Sequence, residues 1–179
     1  MMDKRAFLHV TAVGIASLAA ASPSLADGLN FINHTTTDGL GGTNVSGVYA
    51  SGGAVYASTN GGLSISTSGG TSFTNKTTIN GLGNNLLFGV FASGNTIYAA
   101  TNGGLSISSN GGTSFINKTT ANGLGNTIVR GVYATGSTIY AATRGGLSIS
   151  TDSGTSFTNK TTASGLGNNI VFGVYASGS

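Results

Sequence analysis

A unit of 42 residues, copied along the chain with little change, limits what this polypeptide can fold into. Phe31, Phe73, Phe115 and Phe157 stand 42 residues apart, and Gly39-Leu40-Gly41 returns at 81, 123 and 165. Gly47-Val48-Tyr49 recurs at 89 (with Phe91 for Tyr), 131 and 173, and Gly61-Gly62-Leu63-Ser64-Ile65-Ser66 returns unchanged at 103 and 145. Residues 61–102 and 103–144 share 30 identities in 42 positions. The units are 31–72, 73–114 and 115–156, followed by a partial unit at 157–179. Units this short cannot bury an apolar face alone, so stability must come from stacking one on the next.

Within a unit the pattern is that of short strands. In the second copy, Leu86–Ala92, Thr96–Thr101, Leu105–Ser108 and Ser114–Thr119 are β-branched or aromatic runs. Ser93-Gly94-Asn95, Asn102-Gly103-Gly104 and Asn110-Gly111-Gly112 separate them, and these residue types tolerate the positive φ of hairpin turns. The segment Thr119–Asn126 then leads to the next group. Four strands in 42 residues predict an all-β chain: a β-propeller-type array of four-stranded antiparallel blades, whose repeats usually run about 40–45 residues. About 3.5 such repeats give an incomplete ring, because closed propellers generally need at least about four blades. The alternative is a β-solenoid with two coils per unit, although no similarity exists at half the period.

The N-terminus has a different character. Lys4 and Arg5 precede an apolar stretch from Ala6 to Ala21, and Ser24-Leu25-Ala26 places small residues before Asp27. This is the layout of a secretory signal peptide, 1–26, cleaved after Ala26. An uncleaved anchor would need about 20 apolar residues, whereas this run is interrupted by His9, Thr11 and Ser17. The expected mature chain, 27–179, is a repeat domain that is secreted, periplasmic or at the cell surface of a bacterium, with no stable membrane span after cleavage.

Two sequence motifs resemble known propeller families. Ser150-Thr151-Asp152-Ser153-Gly154-Thr155-Ser156-Phe157 resembles the Asp-box of the BNR repeat, the S-x-D-x-G-x-[ST]-[WF] turn found in sialidases and other propellers. That resemblance places it between the third and fourth strands of a blade. Ser66–Phe73 and Ser108–Phe115 keep the Ser, Gly and Phe but carry Ser68 and Asn110 where the box has Asp. Gly123-Leu124-Gly125-Asn126-Thr127-Ile128-Val129, followed by Thr143-Arg144-Gly145-Gly146-Leu147, resembles the two-component-regulator propeller repeat. Together the resemblances span residues 29–179 and imply a fold; propellers host unrelated functions.

The supply of reactive groups is small. Charged residues are 6% of the chain, cysteine and glutamate are absent, and the net charge of +3 is too weak to argue for nucleic acid. A sialidase site, as the resemblance would imply it, needs a Tyr–Glu pair and three arginines, but the mature chain holds only Arg130 and Arg144 and no Glu. Asp27, Asp38 and Asp152 offer no evident carboxylate pair for glycoside hydrolysis. His34 is the only mature histidine, and no G-x-S-x-G elbow accompanies it. One His without Cys does not make a zinc or copper site, and Asp152 alone would hold calcium weakly. No catalytic residue, metal or cofactor is therefore expected.

Several repeated features remain. Lys76, Lys118 and Lys160, with His34 at the matching place, give one cationic position per unit. They read as a basic ring for an anionic glycan or lipid, or as charges that keep outermost strands from pairing edge to edge. Tyr49, Phe91, Tyr133 and Tyr175, and likewise Tyr56, Tyr98 and Tyr140, suit inter-blade packing better than sugar stacking. Asn33, Asn44, Asn75, Asn117 and Asn159 fall in N-x-[ST] sequons, which duplication explains. Arg130 and Arg144 depart sharply from their siblings, so with Tyr133 they are the candidate ligand contacts. The expected function is a non-catalytic binding or scaffolding module for a protein or carbohydrate, with self-association through open blade edges. A structural adhesin or solenoid passenger, and an inactive remnant of a sialidase-like propeller, are the alternatives.

Overall fold

The computed structural model of the chain describes residues 32–176, so the expected signal peptide 1–26 and the first repeat marker, Phe31, lie outside the described residues. β1 (Val45–Ser51), β2 (Ala54–Thr59), β3 (Gly62–Ser66) and β4 (Thr74–Lys76) form the first sheet. β5 (Leu87–Ser93), β6 (Thr96–Thr101), β7 (Gly104–Ser108) and β8 (Ile116–Lys118) form the second. β9 (Val129–Thr135), β10 (Thr138–Thr143), β11 (Gly146–Ser150) and β12 (Thr158–Lys160) form the third. Each sheet is an antiparallel meander in chain order, which excludes the coil-on-coil solenoid. Neighbouring sheets meet most closely along β1, β5 and β9. The array is that of propeller blades, with the short lysine-bearing strands outermost.

The turns explain the register. Gly52 and Gly53 both have positive φ (60° and 83°), the pattern of a type I′ hairpin, and they set Tyr49 opposite Tyr56. In the second sheet Gly94 alone is positive (56°), as in a type II′ turn, and the same pairing results between Phe91 and Tyr98.

Two differences from the sequence expectation have physical causes. The fourth strand was expected at Ser114–Thr119 but spans only Ile116–Lys118, because the Phe115 N–H donates to Asn80 O (2.8 Å) in the preceding connection. That connection, to which the sequence assigned no regular element, holds a short 3-10 turn at Thr78–Asn80, repeated at Thr120–Asn122. Thr77 caps the first of these turns: its hydroxyl accepts from Ile79 N–H, and Asn80 Oδ1 accepts from Thr77 N–H in return.

The core lies between sheets. Tyr56, Leu63 and Ile65 of the first sheet pack against Leu82, Leu87, Ile97 and Ala99 of the second unit and Phe115, which precedes β8. Tyr98 and Leu105 repeat the arrangement against Leu124, Val129, Ile139, Ala141 and Phe157. Each fully buried Leu or Ile contributes about 1.5–3 kcal/mol, so the stacked interface is the main source of stability. Beyond the third sheet, Val171–Ala176 runs beside β9 without pairing into a strand. Its Val171 N–H donates to Thr143 O at 2.9 Å, and the Tyr175 ring lies 5.0 Å from that of Tyr133. Among the described residues no helix is long and apolar enough to cross a membrane.

Candidate functional site

The inner strand of every sheet carries one residue more than its partner can match. In the first sheet Val45 pairs with Thr59 and Gly47 with Ser58, so Ser46 is skipped. Phe88 is skipped in the second sheet and Arg130 in the third. Such bulges turn a side chain out of the regular alternation and recur at functional positions. Here the Arg130 guanidinium lies 4.4 Å from the centre of the Phe88 ring, one sheet away. The contact is a cation–π interaction, worth roughly 0.5–1 kcal/mol at an exposed site. Arg130 is half-buried, and its Nε donates to no group among the described residues. Phe172, the corresponding residue of the fourth unit, is 73% exposed.

Arg144 belongs to the same end of the third sheet. It is exposed in the β10–β11 turn, and its backbone N–H donates to Ile128 O (3.1 Å), two residues before Arg130. Tyr133 lies further along β9, opposite Tyr140 and toward the other turn. Its ring sits between Phe91 (4.9 Å) and Tyr175 (5.0 Å), and Tyr49 extends the column beyond Phe91 at 5.0 Å. The structure thus brings the two arginines to one end and assigns Tyr133 to an aromatic ladder between inner strands.

The turns at 66–73, 108–115 and 150–157 show where the carboxylate goes. Asp152 Oδ1 accepts from the Ser150 hydroxyl (2.7 Å) and from Ser156 N–H (3.0 Å), while Oδ2 accepts from the Ser156 hydroxyl (2.6 Å). These bonds, the Ser156 hydroxyl foremost, hold the carboxyl well below the usual carboxylate range. Asn110 reproduces the bridge with Oδ1 accepting from Ser114 N–H (3.0 Å) and Nδ2 donating to the Ser114 hydroxyl (2.9 Å). Ser68 reaches the same partner less well, with its Oγ accepting from Ser72 N–H at 3.3 Å.

The sequons contain a network that the sequence did not reveal. Asn117 Oδ1 accepts from the buried Ser106 hydroxyl (3.0 Å), and its Nδ2 donates to Gly103 O (2.8 Å). Ser106 Oγ accepts in turn from Gly83 N–H (2.9 Å), which ties the incoming connection to β7 and β8. Asn75 with Ser64 and Asn159 with Ser148 repeat the arrangement. The basic series also needs correction at His34. This residue is 7% exposed, edge-on to the Phe73 ring and 3.8 Å from Asp38, so it is interior rather than one cation of a surface ring. Among the described residues no three His, Cys, Asp or Glu side chains gather as a metal set would.

No protein-family model matches the chain, and no curated protein matches it. Solved structures do. The extracellular domain of the hybrid two-component system protein BT3049 from B. thetaiotaomicron aligns at TM-score 0.70 and 19% identity, over 85% of this chain and 22% of that one. An ancestral GH74 enzyme aligns at TM-score 0.55 and 22% identity, over 72% and 20%. YCF48 bound to D1 peptide aligns at TM-score 0.53 and 17% identity, over 64% and 40%. The chain thus spans between a fifth and two fifths of the length of these proteins, and identities this low carry the fold and not the activity.

Proposed function

We propose that the protein is a secreted or periplasmic, non-catalytic propeller module that binds a protein or carbohydrate ligand at the bulge end of its inner strands. The observation that carries this reading is Arg130, a non-repeated cation set at a bulge, stacked on Phe88 and sharing its end of the sheet with Arg144. A planar guanidinium beside an aromatic ring suits a carboxylate-bearing peptide or sugar. Two further observations support a non-catalytic role. Asp152 is committed to its own turn, and Asp38 Oδ2 accepts from Thr35 N–H (2.8 Å) as part of a cap. The turn bridges at Asp152, Asn110 and Ser68 support reading the three turns as degenerate Asp-boxes with a folding role.

One neighbouring structure supplies a ligand class to test. YCF48 is bound to a peptide in its structure, and the BT3049 fragment is an extracellular domain, in keeping with a protein that leaves the cytoplasm. The test is binding of the purified protein to peptide and glycan arrays, with Arg144→Ala and Arg130→Ala in parallel. An acidic peptide or glycan that binds the parent and is lost in both variants supports the reading. No ligand on either array, or hydrolysis of a glycan, overturns it. N-terminal sequencing of the exported protein should begin at Asp27.

A further inference from the structure

The three repeat units diverge most at one end of the fold. Residues 42–46, 84–88 and 126–130 agree in all three copies at none of their five places, and elsewhere in the unit no more than three consecutive places vary. The β2–β3 turn and its counterparts add a sixth place, with Asn60 and Asn102 against Arg144. In the turns of the opposite end the changes are among small and polar residues, as at Ser68, Asn110 and Asp152, which turn chemistry accepts in place of one another. At the bulge end the chemistry itself changes. Asn44 and Ser46 of the first unit are polar and exposed, Leu86 (36% exposed) and Phe88 of the second are apolar, and Arg130 and Arg144 of the third are cationic. The fold joins these places into one strip. Asn60 N–H donates to Asn44 O (3.1 Å), Asn102 N–H to Leu86 O (3.0 Å) and Arg144 N–H to Ile128 O (3.1 Å), so each turn is tied to the divergent run of its own unit. Ser46, Phe88 and Arg130 are the bulged residues, and the glycines after them bring neighbouring inner strands into contact. A Cβ added to Gly47 would lie 3.6 Å from Phe88 O, and one added to Gly89 3.4 Å from Arg130 O.

We infer that this strip holds an extended peptide whose side chains run polar, apolar and acidic from the first sheet to the third. The inference rests on the reading that the bulge end binds a ligand, and adds which unit meets which part of it. Arg130 and Arg144 take the acidic part, because guanidinium groups offer carboxylates paired N–H donors. Leu86 and the Phe88 ring beside Arg130 form an apolar ledge for the middle part. The amides and hydroxyl of Asn44, Asn60 and Ser46 suit small polar side chains. A peptide changes chemistry from residue to residue in this way, whereas a simple glycan presents hydroxyls throughout. The lengths agree as well. Rings on the same inner strands step from unit to unit by 5.0 and 4.9 Å, so three units span about 10 Å, which an extended chain advancing about 3.3 Å per residue crosses in about three residues.

Fluorescence polarisation with end-capped, labelled hexapeptides of a single composition tests the order. Ser-Ser-Leu-Leu-Asp-Asp and its reverse keep the apolar pair in the middle and cover both chain directions. Leu-Leu-Ser-Ser-Asp-Asp and Ser-Ser-Asp-Asp-Leu-Leu move it to an end. One of the first two should bind the protein at least about tenfold more tightly than either of the others. Leu86→Asn gives the second unit the residue of the first and should remove most of that preference. Arg144→Asn gives the third unit the residue of the other two and should weaken every one of the peptides. Both substitutions use a residue that the fold accepts at the same place in another unit, and unchanged melting temperatures confirm that the variants are folded. Equal binding of all four peptides, or a preference that survives Leu86→Asn, overturns the inference. If the four bind equally and all weaken in Arg144→Asn, the acidic-ligand reading stands and the ordered strip falls. The same holds if no hexapeptide binds while an acidic glycan does; if neither binds, both fall.

Discussion

Ser153 and Gly111 hold the same turn position in successive sheets, with φ of +58° and +68°, and Gly69 holds it in the first sheet at +67°. In the second and third sheets the position also makes the same hydrogen bond: the N–H of Ser153 donates to Ser137 O (3.0 Å), and that of Gly111 to Asn95 O (2.9 Å). A residue with a Cβ is strained in the left-handed region by about 1–2 kcal/mol, whereas glycine is not. Ser153→Gly should therefore raise stability by roughly 0.5–1 kcal/mol after allowance for the freer unfolded chain. Thermal unfolding should show a gain of a few degrees, and Gly111→Ser should show a loss of similar size. An unchanged melting temperature in both would mean that the turn relaxes around the substitution.

The Ser–Asn network predicts a larger effect from an equally small change. Asn117→Ala removes the acceptor of the buried Ser106 hydroxyl and the donor to Gly103 O. Leaving a buried polar group unsatisfied costs about 1–3 kcal/mol, so Asn117→Ala should destabilise the protein by about that amount. Ser106→Ala should do the same by leaving Gly83 N–H without its acceptor. The double variant should lose less than the sum, because both changes break one network. Chemical denaturation of the three variants measures this, and strict additivity would argue against a coupled network.

The repeat made the blades legible from sequence, because identical units must stack and glycine-rich breaks every few residues leave room only for short strands. The turn at Ser150–Phe157 was legible as a break between strands, from its run of Asp, Ser, Gly and Thr. The bulges were not. Their trace was a count: Leu86–Ala92 has seven residues against six in Thr96–Thr101, and the extra residue had to be skipped somewhere. Composition could not say that Phe88 was the one skipped, so the stacking of Arg130 on it was invisible. The structural use of Asn75, Asn117 and Asn159 was hidden for a different reason. Asn is abundant throughout the chain, and only the fold sets these three beside a buried serine. His34 matched the lysine series by number alone, and the Phe73 ring drew it inside.

Acid should affect the third turn more than the other two. The native Asp152 carboxyl titrates below its ordinary value of 3.8, so in the acid range the unfolded chain binds more protons than the folded one. The stabilisation from these hydrogen bonds is fully present above that ordinary value and is lost as pH falls through the folded value. Asp152→Asn keeps a bridge, as Asn110 shows, but does not titrate. The fall in melting temperature between about pH 7 and about pH 2 should therefore be smaller in Asp152→Asn than in the parent. Equal falls would place the acid sensitivity elsewhere.

Arg130 allows the structural and ligand-binding roles of one residue to be separated. Its guanidinium covers the Phe88 ring, so truncation to alanine removes both that packing and the charge. Phenylalanine is the residue at this repeat position in the second and fourth units, so Arg130→Phe keeps an aromatic stack while removing the charge. Arg130→Ala should lower stability by roughly 0.5–1 kcal/mol, and Arg130→Phe should leave it within about 0.5 kcal/mol of the parent. Binding should follow charge instead: both variants should lose affinity for an acidic ligand, by about tenfold or more if the guanidinium contacts it. Added salt should weaken the parent and leave the variants little changed. If Arg130→Phe binds as the parent does, the arginine serves the stack alone and the ligand site lies elsewhere on the array.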